Sequence, residues 1–401
     1  MDKSKARPVL CDDNTCTGCM ACVNACNKGA LSMGTNKEGF YRPHLNSELC
    51  VNCGLCVKSC PVLNPPIRHE VDKITVYSAW NLNEHIRLNS SSGGAFTALA
   101  EVVLSMGGLV VGAAYTKDMC IEHIVVDNVA DLPKLRLSKY AQSRIGNILA
   151  KIRDELKTGR KVLFVGTPCQ ASGLKSFLKG SYDNLICVDL ICHGVPSISF
   201  LHTYLKWLEP KTGKIVNLNF RDKQKGWYDN LRVVGNSEGK SIALKGCNDA
   251  YWVAFNRNNC LQESCYHCTS QGFPRCSDIT LADFWGIGRE TPYGHKDEIE
   301  KGISAIIVNN PSVQPIIDRL NTKLYIEERS LKESISGNKA GIRSSKRPLA
   351  RDTFYSDLNN MSFDELRLLY MKPSFKESLI KVFRERLPFF LIKYIRLKKQ
   401  K

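Results

Sequence analysis

The pattern of apolar and polar positions changes character along the chain. Through residue 63 no apolar period is sustained. Cys, Gly and Asn crowd together there, and the Pro-bearing stretch Asn64 to Glu70 reads as a linker. From Lys73 onward, strand-like and helix-like runs alternate. Ile74 to Trp80 predicts a strand, Gly93 to Met106 a helix and Leu109 to Tyr115 a strand. Ile145 to Lys157 has the spacing of an amphipathic helix. A strand at Lys161 to Gly166, a helix at Pro168 to Lys179, a strand at Leu185 to Ile191 and a helix at Ser197 to Leu208 follow. Short strands joined by polar turns fill Ile215 to Leu244. A Cys-rich loop covers 257–277, and Ile303 to Val308 reads as one more strand. Such alternation predicts an α/β core with some parallel sheet. Beyond about residue 340 the pattern is helical and basic.

One apolar segment has the length of a membrane span. Ala95 to Tyr115 carries a single charge, Glu101, but the Gly107-Gly108 pair interrupts it. Helix, turn and buried strand is the reading that fits. The chain has 401 residues, room for two to three domains at roughly 150 residues each. Its 43% hydrophobic and 24% charged residues exclude wholesale disorder, a collagen and a disulfide-stapled miniprotein. Met1 to Leu10 has no apolar stretch behind it, so it does not read as a secretory signal. A cytoplasmic setting is expected, and there cysteines serve as thiolate ligands more often than as disulfides.

There are 18 cysteines, and nine fall within the first 60 residues. Cys16, Cys19, Cys22 and Cys26 form C-x2-C-x2-C-x3-C, and Cys50, Cys53, Cys56 and Cys60 repeat it. Two-residue gaps let three sulfurs converge from a tight loop, while the fourth points at the other cluster. The expected sets are therefore Cys16, Cys19, Cys22 and Cys60 for one 4Fe–4S cluster, and Cys50, Cys53, Cys56 and Cys26 for the other. The small residues Gly18, Ala21 and Gly54, with Leu55, suit a backbone wrapped close to sulfide. Zinc prefers two separated C-x2-C pairs, which this run does not offer. The block resembles two-cluster bacterial ferredoxins over about 50 residues. Cys11 lies outside the pattern and reads as a plain thiol.

A second set lies deeper in the chain. Cys169 opens the helix after the strand at Lys161 to Gly166, and Cys192 directly follows the next strand. In a right-handed βαβ unit both positions reach the same sheet edge, where α/β folds bind ligands. Cys265 and Cys268 add metal-ligand spacing, making four sulfurs for a third 4Fe–4S cluster. Cys260 and Cys276 flank that pair as alternative ligands, and Cys169 at a helix start could instead be a reactive thiol. Cys120, Cys187 and Cys247 have no partner spacing. Ser91, Ser92, Gly93 and Gly94 precede an apolar helix, an arrangement that suits a cofactor phosphate and also an ordinary helix cap. Gly235 to Ser241 imitates a phosphate loop but has three residues between its glycines, and it reads as a hairpin turn.

Five segments occur in order: SSGGAFT at Ser91 to Thr97, KYAQS at Lys139 to Ser143, GTPCQ at Gly166 to Gln170, CHGVPS at Cys192 to Ser197, and Cys265-x2-Cys268 followed by DITLADFWG at Asp278 to Gly286. Together they resemble the coenzyme F-420 hydrogenase/dehydrogenase beta-subunit family over roughly 73–330. That resemblance implies an iron–sulfur oxidoreductase containing FAD, with Cys169, Cys192, Cys265 and Cys268 as ligands of the inner cluster. It implies flavin contacts at the Ser91 to Gly94 helix start and at Lys139, Gln142 and Ser143. The CHGVPS and DFWG forms look most like members found in bacterial polysaccharide gene clusters. The expected fold class is α+β: a ferredoxin-type two-cluster domain (1–63), a mixed α/β flavin-binding domain (73–335) and a basic helical tail (340–401).

The expected function is electron transfer between a ferredoxin-like carrier and an unidentified organic acceptor. Asp283 and Trp285, behind the Cys loop, are the candidate catalytic residues. They read equally well as a turn cap and a core aromatic. The rival functions are a non-catalytic electron-transfer subunit and a zinc-bearing nucleic-acid-binding protein. The formal charge of +17 prompts the last, but residues 372–401 carry ten Lys/Arg against two Glu, and no nucleic-acid motif accompanies them. That tail is also rich in aromatic and aliphatic residues, which suits peripheral contact with the inner face of a membrane, and no nucleic acid is expected as a partner.

Overall fold

The structure is a computed structural model that describes residues 8–229, 231–244 and 249–372. Cys247 and residues 373–401 of the basic tail therefore lie outside the described residues. The alternation in the sequence becomes an eight-stranded mixed sheet. Its strands are β3 (Thr75–Asn81), β4 (Leu109–Tyr115), β5 (Ile121–Val126), β6 (Val162–Val165), β7 (Leu185–Leu190), β11 (Ile279–Asp283), β12 (Ser304–Val308) and β13 (Leu324–Arg329). They run in the order β13-β3-β12-β11-β7-β6-β4-β5. The four central strands, β4, β6, β7 and β11, are mutually parallel. Helices cover both faces, so β4, β6 and β7 are buried on both sides and read as nearly unbroken apolar runs.

Every strand and helix expected from Ile74 to Val308 is present, with ends shifted by a few residues. The segment that resembles a membrane span is the helix Ala95–Ser105 followed by β4, and no helix among the described residues is long and apolar enough to cross a membrane. The phosphate-loop look-alike is the turn between β9 (Leu231–Asn236) and β10 (Ser241–Leu244), which pair antiparallel beside β8 (Ile215–Asp222). Several strands escape the periodicity. β1 (Leu31–Thr35) and β2 (Tyr41–Leu45) form a hairpin inside the Cys-rich block. β5 and β13 are sheet edges, and β11 hides behind the Cys loop.

The sheet brings one edge of the molecule together. The carboxyl ends of β6, β7 and β11 lead to Cys169, Cys192 and Asp283 respectively. β3 runs in the same direction as these strands, so Ser90 to Gly94 arrive there too. Gly93 is wedged against the sheet: a Cβ on it would stand 2.3 Å from the Ala79 carbonyl oxygen and 2.6 Å from Ser304 N.

Residues read as the start of a tail are built into the core. Phe354, Tyr355 and Leu358 of the helix Arg351–Asn360 pack with Phe40 and Phe200, as do Phe363 and Leu366 of the helix Phe363–Tyr370. Arg351 ties this segment to the Cys-rich block. Its guanidinium donates to both Glu38 carboxylate oxygens at 2.7 and 2.6 Å and to the Leu261 carbonyl at 2.9 Å. Losing a buried partner of this kind leaves a carboxylate and a carbonyl unmatched. Arg351→Ala is expected to cost about 2 to 3 kcal/mol of stability, read by denaturant unfolding.

Candidate functional site

The duplicated cysteine motif folds twice in the same way. Gly18 and Asn52 take left-handed conformations (φ 68° and 54°), and so do Met20 and Gly54 (φ 61° and 72°). Each second member caps a four-residue helix, Ala21–Asn24 or Leu55–Lys58, that leads to Cys26 or Cys60. Alternating left-handed residues curl the backbone so that successive cysteines face one centre. Gly18 is required for a further reason: a Cβ there would sit 2.4 Å from the Gln142 amide nitrogen.

Cys16, Cys19, Cys22 and Cys60 line one small cavity, together with Cys11. The fourth cysteine of the second motif thus joins the first three of the first. Cys11, read as a plain thiol, stands 3.8 Å from Cys60 Sγ. Its hydrogen bonding lowers the Cys16 thiol to about 7 and the Cys60 thiol to about 6. The reciprocal set is nearer the surface. Cys26 and Cys53 act electrostatically on Cys56, whose thiol burial pushes up, and Cys53 itself is exposed. Cys50 Sγ lies 3.5 Å from Asn52 Oδ1.

The deeper four also converge. Burial pushes the Cys169 and Cys192 thiols up to about 12, and burial raises those of Cys265 and Cys268 as well. Cys265 feels the charges of Cys192, Cys169 and Cys268, and Cys169 those of Cys268 and Cys192. Four half-buried cysteines whose thiols resist ionisation and repel one another when ionised suit a polycationic centre. The flanking cysteines go elsewhere. Cys260 is buried in the aromatic core, and Cys276 Sγ faces Ser172 Oγ at 3.4 Å. Among the described residues no three His, Cys, Asp or Glu side chains stand at the spacing of a single metal ion.

The three sets form a series. Cys169 acts on the Cys19 thiol, and the helix Pro168–Leu178 that bears Cys169 lies directly on the Cys-rich block. The contact is made one helical turn on, at Gly173, where a Cβ would lie 2.8 Å from Cys19 Cβ and 2.9 Å from its sulfur.

Beyond the inner set opens a cavity of about 840 Å³, within the range of cofactor sites. Ser91, Ser92, Gly94, Lys139, Gln142, Ser143, Cys169, Cys192, Asp283 and Trp285 all line it; Gly93 stands behind the wall. Several of these side chains have structural partners. Ser91 Oγ accepts from Ser138 N at 2.9 Å, and Ser92 Oγ donates to the Ile303 carbonyl at 2.8 Å. Gln142 accepts from Tyr41 N at 2.7 Å and donates to Gln262 at 3.1 Å, joining the Cys-rich block to the Cys loop. Ser143 Oγ accepts from Gln170 at 2.9 Å and lies 3.3 Å from His123 Nδ1, whose burial brings it down to about 4.

Asp283 is engaged by cations and donors rather than poised as a free acid. Arg221 bonds both its oxygens at 3.0 and 3.3 Å, and Trp227 Nε1 donates to it at 2.9 Å. Trp285 stacks on Trp227 with centroids 4.2 Å apart, under the Arg221 guanidinium. Arg221, Trp227, His123 and Lys223 gave no signal in the sequence, because each stands alone in a strand or turn. Lys223 donates to the Ser92 carbonyl at 2.6 Å and so holds the loop at the cavity wall.

Two outcomes follow from this geometry. Gly173→Val drives two methyl groups into Cys19 and is expected to cost about 1 to 3 kcal/mol, read by thermal or denaturant unfolding. Lys139 donates to three backbone carbonyls, and burial brings its ammonium down to about 7 from an ordinary 10.5. Between those values the unfolded chain binds more protons than the folded one, so this residue makes stability rise with pH. Lys139→Met should flatten that rise, measured by unfolding at pH 6, 8 and 10.

Known proteins share parts of this layout. Residues 15–64 match the 4Fe-4S dicluster domain. Ferredoxin-type protein NapF of Escherichia coli, from strains K12 and O157:H7, is 43% identical over 44 residues, 11% of this chain. The chain spans 27% of the length of those curated relatives. A solved F420-reducing NiFe hydrogenase complex from Methanosarcina barkeri aligns with a TM-score of 0.42 at 16% identity, covering 68% of this chain and 90% of that one. Residues 159–334 match the family defined by the C terminus of the coenzyme F420 hydrogenase/dehydrogenase beta subunit. Residues 159–334 are thus similar to that oxidoreductase subunit family, and residues 15–64 in front of them to an iron–sulfur domain of ferredoxin type.

Proposed function

We propose that the protein is an FAD-dependent iron–sulfur oxidoreductase that moves electrons between a one-electron carrier and an organic two-electron acceptor. The observation that carries the reading is the series of cysteine sets leading from exposed Cys53 to the 840 Å³ cavity. Cys26, Cys50, Cys53 and Cys56 would hold the outer cluster, Cys16, Cys19, Cys22 and Cys60 the middle one. Cys169, Cys192, Cys265 and Cys268 would hold the inner one. When bound, the clusters carry single electrons and FAD exchanges two with the acceptor.

The chain's own residues supply the rest. Ser91, Ser92 and Gly94 bring a helix start to the cavity, where backbone N–H groups favour an anion such as the flavin diphosphate. Lys139 adds a cation that an anionic ligand would keep protonated. The Arg221–Asp283 pair is an internally neutral part of the wall, and Trp285 adds an aromatic side chain to the cavity lining. The acceptor is taken to belong to polysaccharide biosynthesis on the sequence forms at Cys192 to Ser197 and Asp283 to Gly286 alone. The family description "beta subunit" favours a second reading, a relay that feeds a separate enzyme.

Anaerobic preparation followed by iron, zinc and flavin analysis tests the assignment. Three clusters give about twelve irons per chain, with one FAD. Cys192→Ser is expected to lower the iron to about eight while the N-terminal clusters remain. Eight irons in the unaltered protein would remove the inner cluster, and zinc in place of iron would end the reading. Turnover of a quinone, deazaflavin or nicotinamide by the isolated reduced chain supports the enzyme; activity only with a partner protein supports the relay.

A further inference from the structure

A buried cation stands beside the inner cysteine set, and no part of the reading above uses it. Arg275 is 2% exposed and follows the loop that carries Cys265 and Cys268. Its Nη1 donates to Asp189 Oδ2 at 3.1 Å, and Asp189, at 1% exposure, belongs to β7, the strand that delivers Cys192. The other two nitrogens, Nε and Nη2, are buried with no hydrogen-bond partner among the described residues. One face of the guanidinium packs over the Phe273 ring at 5.0 Å. Buried donors left unmatched are costly, and a guanidinium carries five N–H groups that need acceptors.

The surrounding bonds fix the group in place. Gln271 Nε2 donates to the Cys192 carbonyl at 3.1 Å, and His69 N donates to the Arg275 carbonyl at 2.8 Å, so the loop is tied both to β7 and to the linker. The same bonds keep the positive charge near the inner cysteines: Asp189, which holds the guanidinium, stands three residues before Cys192, and Gln271, four residues before Arg275, is bonded to the Cys192 backbone. Four thiolates around a 4Fe–4S core leave a net negative centre, and each added electron deepens that charge in a region of low dielectric.

We infer that Arg275 is a positioning residue that sets the reduction potential of the inner cluster, its unmatched N–H groups and buried charge stabilising the reduced state. The inference rests on the inner cluster of the proposed function. Asp189 has the opposite effect, holding the guanidinium in place while partly cancelling its charge. The balance between the two decides how readily the inner site accepts an electron from the middle one.

The test is potentiometry of the anaerobically prepared full-length protein, followed by EPR, with iron counted for every sample. Arg275→Gln is expected to lower the midpoint of the inner cluster by at least a tenfold change in equilibrium constant, about 59 mV for one electron. The two N-terminal clusters should keep their midpoints. Arg275→Lys retains the charge and should stay closer to the unaltered protein than the Gln variant. Asp189→Asn keeps an acceptor for Arg275 but removes the opposing charge, so it should raise the midpoint, and it covers the case in which Arg275→Gln does not fold. Full iron content with an unchanged inner midpoint in either Arg275→Gln or Asp189→Asn overturns the inference. Eight irons in the unaltered protein overturn the inner cluster itself, a separate and distinguishable failure.

Discussion

The approach of Gly173 to Cys19 is the contact on which the rest of the layout depends. It lets the helix Pro168–Leu178 lie against the Cys-rich block with no side chain between them. Cys169, one turn earlier on the same helix, is thereby brought into electrostatic reach of Cys19. Any larger residue would separate the middle and inner cysteine sets by the thickness of a side chain. Gln142 and Arg351 hold the same interface from two other directions, through Tyr41 and Glu38. The Cys-rich block is thus packed as part of the molecule's core rather than hung from a linker.

Burial governs the chemistry around that contact. Thiols in the inner set are raised because a thiolate loses its hydration there, and like charges add to the effect. Such a site favours a cationic occupant and punishes a vacant ionised state. The same desolvation acts in the opposite sense on Lys139 and His123, which lose their protons more readily in the cavity wall. An anionic ligand would restore the charge on Lys139, so cavity and ligand would titrate together.

Much of this was legible in the residues themselves. The crossed cysteine sets follow from a repeat of fixed spacing, and the meeting of Cys169 with Cys192 follows from βαβ handedness. The strands β4, β6, β7 and β12 announce themselves as apolar runs because both their faces are covered. The edges were less legible. β13 carries Glu327, Glu328 and Arg329, since one side of an edge strand meets water, and its composition resembles a loop. The segment after residue 340 read as a tail because of its helical pattern and basic charge, yet Phe354, Phe363 and Leu366 pack its first part into the core.

The sequence by itself determined which atoms could bind metal and which strand ends would carry them, because both depend on local spacing and on backbone chirality. Only the tertiary structure decided how those atoms are surrounded. Asp283 could have been a free acid; its pairing with Arg221, 62 residues away in the chain, withdraws it from that role. Arg275 could have been a surface charge, and folding instead buries it against Asp189 beside the inner set. Charge, burial and hydrogen bonding at a site are sums over residues distant in sequence, and no local pattern encodes such a sum.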